Sequence, residues 1–85
     1  MKLTYNRSEI INIKHRLSSL IVKLQNSKQT TEVLELASKL EEQIFHYKYV
    51  INGLRKENEV ITEYSLCKGF NETEYFLNQI ERELR

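Results

Sequence analysis

Proline is absent from this 85-residue chain, and glycine occurs only twice, at Gly53 and Gly69. Both shortages remove the residues that most often interrupt helices, so long helices are expected. Cysteine occurs once, at Cys67, which excludes an internal disulfide. An excess of one charge is also lacking, since 13 Lys and Arg stand against 12 acids for a formal net charge of +1. That balance supplies no global field to concentrate nucleic acid or an anionic membrane. No stretch approaches the roughly 20 apolar residues of a membrane span. The segment Met1 to Arg7 lacks the apolar run of a signal peptide. One small soluble domain in the cytoplasm is the expectation.

What the chain does have is a heptad of apolar residues that runs, breaks and runs again. Ile10, Ile13, Leu17, Leu20, Ile21 and Leu24 form a first stripe, with Ile11 and Val22 off to one side. Val33, Ala37, Leu40, Ile44, Tyr47, Ile51 and Leu54 form a second. The polar break between them, residues 25–31, reads as the turn of an antiparallel helical hairpin. Asn6 with Glu9 three residues later makes a capping box for a helix over about residues 7–25. Thr30 or Thr31 caps a second helix, with Glu32 favourably placed against its dipole, running to about residue 58. Gly53 falls inside that helix.

The apolar face of the second helix is wider than one partner helix hides. Leu36 and Val50 extend it on one side, Leu34 and Phe45 on the other. Either the C-terminal segment or a second copy of the chain must cover the flanks. The C-terminal segment offers a third helix over about residues 72–85, capped by Asn71 with Glu74 behind it. Its stripe is Phe76, Leu77, Ile80 and Leu84. Lys68-Gly69 reads as a turn, and residues 59–70 fit either a prolonged second helix or a loop. The fold class is therefore all-α: a two-helix hairpin plus a short third helix, with oligomerisation expected on stability grounds.

Chemistry-bearing residues are sparse. His15 and His46 fall on the polar sides of their helices, and nothing brings histidine or cysteine ligands together for a metal. No phosphate loop, nucleophile elbow or metalloprotease motif is present, and no cofactor is implied. Cys67 reads as a small apolar residue, since no neighbour in sequence would depress its pKa. Glu32, Glu35, Glu41 and Glu42 read as a solvated helix face. The most unusual local composition is Phe45-His46-Tyr47-Lys48-Tyr49, which mixes aromatic and basic groups. With Leu34, Leu36 and Val50 it makes a candidate partner-binding surface of Phe45, Lys48 and Tyr49. Tyr5 and Arg7, ahead of the first helix, form a second candidate contact, for a nucleotide or a protein.

The run from Glu32 to Glu41, Glu-Val-Leu-Glu-Leu-Ala-Ser-Lys-Leu-Glu, continued by Glu42-Gln43-Ile44-Phe45-His46-Tyr47, resembles the sporulation stage-zero-E-like family of small aspartyl-phosphate phosphatases. That family is a helical hairpin whose second helix carries Ser-Gln-Glu-Leu-Asp. Leu40 matches its leucine, and Glu41 stands at its aspartate. Ala37, Ser38 and Lys39 stand where the family has Ser, Gln and Glu. The likeness spans Ile10 to Lys48. It implies docking on the receiver domain of a response regulator, with Glu41 orienting water or contacting the receiver's metal site, and Ser38 as its polar neighbour. Separately, the order Tyr5, Arg7, Ser8-Glu9-Ile10 is similar to the opening of phage anti-defence sponges, oligomers that sequester cyclic nucleotides.

Three functional classes stay open at this stage. One is a regulator, catalytic or not, of a phosphorylated receiver. Another is a non-catalytic oligomeric inhibitor or cyclic-nucleotide sponge that uses Tyr5 and Arg7. The third is an adaptor hairpin. All three work through contact with a partner, and none calls for a membrane or for nucleic acid.

Overall fold

The computed structural model describes residues 2–26, 31–47, 52–54 and 59–83. The chain is all-α, with a long antiparallel helix pair, a third helix and a two-stranded ribbon. In order these are β1 (Tyr5–Asn6), α1 (Arg7–Asn26), α2 (Thr31–His46), β2 (Val60–Ile61) and α3 (Tyr64–Glu83).

Helix α1 begins where the capping box places it. The Asn6 side chain accepts from the Glu9 amide at 2.8 Å, and Glu9 accepts from the Asn6 amide at 3.3 Å. Two otherwise orphaned amides are thereby satisfied. Its buried residues are Ile10, Ile13, Leu17, Leu20, Ile21 and Leu24, the stripe read from the heptad, while Ile11 and Val22 are exposed. Helix α2 buries Ala37, Leu40 and Ile44, with Val33, Leu34 and Tyr47 packed at the edge of the core.

The second helix stops earlier than its heptad suggests. It ends at His46, and Tyr47 closes a turn through its amide to the Ile44 carbonyl at 3.0 Å. Only Asn52 and Gly53 are helical among the next described residues, and Glu59 has left the helix. Tyr47 itself packs toward α3. Its ring meets Phe70 of α3 edge-on, with centroids 5.6 Å apart, and its hydroxyl accepts from Gln43 at 3.1 Å. Leu54 packs against the core, whereas Ile51 lies outside the described residues.

The third helix starts earlier than expected, at Tyr64 instead of residue 72. Asn71 is therefore not a cap, and Lys68-Gly69 is not a turn. Burial of Leu66, Cys67, Gly69 and Phe70 holds this segment helical, because those residues add a turn and a half of apolar face to Leu77. Thr73, inside the core, satisfies its hydroxyl on the Gly69 carbonyl at 2.9 Å. Phe76 and Ile80 pack at the core's edge, and Leu84 lies outside the described residues.

Asn71 has a different task. Its side chain donates to the Lys2 carbonyl and to the Cys67 carbonyl, both at 2.7 Å, and accepts from the Lys2 amide at 3.1 Å. It lashes the first residues onto α3. The ribbon continues that tie, with Tyr5 opposite Ile61 and Asn6 opposite Val60 in antiparallel register. The Cys67 thiol donates to the Leu3 and Ile61 carbonyls, at 3.3 and 3.4 Å. Helix α3 is also clasped to α1, where Arg16 donates to both Glu81 oxygens and to Asn78.

Candidate functional site

Helix α3 covers one edge of the hairpin, packing against Gln43 of α2, Tyr47 just past its end and Arg16 of α1. The other edge carries an open groove of about 360 Å³ between α1 and α2. Leu17 and Ile44 are its buried floor. Lys14 and Ser18 stand on the α1 wall, and Ser38, Glu41, Glu42 and Phe45 on the α2 wall. The Ser18 hydroxyl donates to Glu41 across the groove at 3.3 Å.

The helical repeat explains the lining. Ser38, Glu41 and Phe45 recur at three- and four-residue steps, so they share one face of α2. Lys14 and Ser18 are likewise one turn apart on α1. Ser38 and Glu41, singled out from the resemblance, thus lie together on one exposed surface and not apart. Phe45 is 59% exposed at the groove's rim. Glu42 also sits 4.0 Å from His46 at the solvent surface.

The other sequence candidates separate. Leu36 is 48% exposed but does not line the groove, and Leu34 packs against the core. Lys48, Tyr49 and Val50 lie outside the described residues. Arg7 is exposed at the start of α1. Tyr5 is fully buried, tilted against Phe70 with centroids 5.1 Å apart and with the Lys2 ammonium 4.7 Å above its ring. A ring in that position is core, so of the candidate contact formed by Tyr5 and Arg7 only Arg7 is exposed. The Tyr5 hydroxyl makes no hydrogen bond of good geometry. Burial first, then the neighbouring Glu74 carboxylate, holds its pKa well above the usual phenol range.

Cys67 behaves as the small apolar residue its surroundings suggest. Burial first, and Glu63 second, push its thiol pKa up, which keeps it protonated and weakly nucleophilic. Among the described residues no three His, Cys or Glu side chains gather as a metal site. Among them, too, no helix is long and apolar enough to cross a membrane.

Lys14 and Ser18 were not singled out by the sequence. Each reads as an ordinary surface residue until the edge left open by α3 is known. The heptad marks which side of α1 is buried, but not which flank the third helix takes. Compared with protein-family models, with curated proteins and with solved structures, the chain gives no significant match.

Proposed function

We propose that this protein is a small regulator acting by protein contact, with the α1–α2 groove as its contact face and a phosphorylated response-regulator receiver as its partner. The observation that carries this reading is the placement of Ser38 and Glu41. They stand one turn apart on the exposed wall of an apolar-floored groove. Such a site joins an apolar floor with few polar groups, the composition that favours docking with a fixed orientation.

In this reading Leu17, Ile44 and Phe45 supply the apolar contact. Glu41 is the group that orients water, or meets the receiver's metal site, and Ser38 is its polar neighbour. Glu41 already accepts from Ser18, which holds its carboxylate toward the groove. The chain itself then needs no cofactor, and the setting would be the cytoplasm, where such receivers work.

The test is label loss from a panel of phosphorylated receivers, with and without this protein. Accelerated loss that disappears in Glu41→Ala, while Phe45→Ala weakens binding, supports the reading. Unchanged rates and no binding across the panel overturn it.

A further inference from the structure

The groove's two walls carry opposite charge. Helix α1 contributes Lys14, and α2 contributes Glu41 and Glu42. No described ion pair takes up Lys14. Apolar side chains lie on the same open edge. By helical phase Ile11 and Val22 flank Lys14 and Ser18 on α1, at 36% and 55% exposure, and Phe45 rises from α2. The Ser18–Glu41 bond sets the level of the two antiparallel helices. One turn along from it, Lys14 stands level with Phe45, with Glu42 and Glu41 about one turn back along α2.

This pattern is self-complementary. A two-fold axis running along the groove lays α1 of one copy across α2 of the other, at the same level and antiparallel. Lys14 then lies opposite the partner's Phe45, with its long side chain reaching along the seam to the partner's Glu42 and Glu41, and the partner's Lys14 does the same in return. Phe45 lands beside the partner's Ile11. Each charge pair occurs twice, and both halves of the match reside on one chain. We propose that this face pairs with a second copy of the chain, closing a four-helix bundle of two hairpins with each α3 on the outside. A small core gains apolar burial from such pairing.

The pairing stands on this geometry alone. Only one consequence rests on the regulatory reading above, namely that a receiver and a second copy compete for the same groove, so self-association gates the regulator.

The experiment is sedimentation of the full chain, with helix content checked by circular dichroism. The parent is expected to be a dimer. Lys14→Glu and Glu42→Lys each set like charges against each other at both symmetric positions, and each should weaken self-association by about tenfold or more. An equimolar mixture of the two variants restores attraction at both positions and should return the dimer mass. A parent that stays monomeric overturns the pairing, even where it binds a receiver. So do single variants that keep the parent's mass, or a mixture that stays monomeric. Receiver assays read the regulatory proposal separately, so failure of one leaves the other standing.

Discussion

The Tyr47 hydroxyl lies 3.0 Å from the place a Cβ on Gly69 would occupy, so α3 meets α2 through bare backbone at that point. Tyr47 Cε2 and Gln43 Nε2 follow at 3.4 Å. Two effects of Gly69→Ala therefore oppose each other. Alanine favours the helix by about 1 kcal/mol, and the new methyl crowds the phenol. In the parent the substitution is expected to be neutral or destabilising. In a Tyr47→Phe background, with the hydroxyl gone, it should stabilise. Urea unfolding of the four proteins measures the difference, and strict additivity would show that the hydroxyl does not set the spacing.

Asn6 and Glu9 close the start of α1 reciprocally, and Glu9 also pairs with the Lys2 ammonium. Removing the cap in Asn6→Ala leaves the Glu9 amide without its acceptor. A loss of about 1 kcal/mol is expected in chemical denaturation. Asn6→Ser, which keeps an acceptor, should recover most of it.

Arg16 spans from α1 to α3 with one Glu81 oxygen at 3.1 Å, the other at 3.4 Å and Asn78 at 2.8 Å. Both side chains of the ion pair are about one-third exposed. A double-mutant cycle with Arg16→Ala and Glu81→Ala should give a coupling of roughly 0.5–1 kcal/mol. Raising the salt from low to molar concentration should reduce that coupling. A coupling indistinguishable from zero at low salt would reduce the clasp to a surface contact without energetic weight.

Cys67 and Tyr5 both have raised pKa values in the fold, chiefly from burial. Each is an acid held in its neutral form, so the folded state binds more protons than the unfolded chain at alkaline pH. The sign follows: their contribution is fully present below the unfolded pKa values, about 8.5 for a thiol and 10 for a phenol. It is lost as pH rises through and beyond them. Thermal unfolding followed from pH 8 to 11 should show falling stability. Cys67→Ala and Tyr5→Phe should each flatten part of that slope. An unchanged slope in both variants would place the alkaline sensitivity elsewhere.

The hairpin was legible because its information is local. Ile10 through Leu24 recur at a helix's own period, and Asn6 and Glu9 are three residues apart. Most departures fall in the segment where periodicity and tertiary packing compete. Tyr47 continues the heptad of α2 and packs on Phe70 as that pattern implies, yet α2 ends at His46. Asn71 and Glu74 have the spacing of a capping box, yet Leu66, Cys67 and Phe70 extend the helix past them. Gly69 looks like a turn but serves as a close approach. Tyr5, offered as a contact residue, is instead covered by Ile61 and Phe70, which lie far along the chain. For the candidate site, Ser38 and Glu41 could be placed on one face by spacing alone. Lys14 and Ser18 could not, since their role depends on which edge of the hairpin α3 leaves open.

The strap formed by Lys2 to Asn6 is held by Ile61, Cys67, Phe70 and Asn71. During synthesis, the hairpin can assemble as soon as α2 has emerged, because its contacts are near in sequence. The strap cannot. Its binding groups lie in β2 and α3, so the strap stays undocked until those later segments have emerged. Docking of the strap is thus expected to follow formation of the hairpin, with α3 acting as the clasp that joins two segments far apart in sequence.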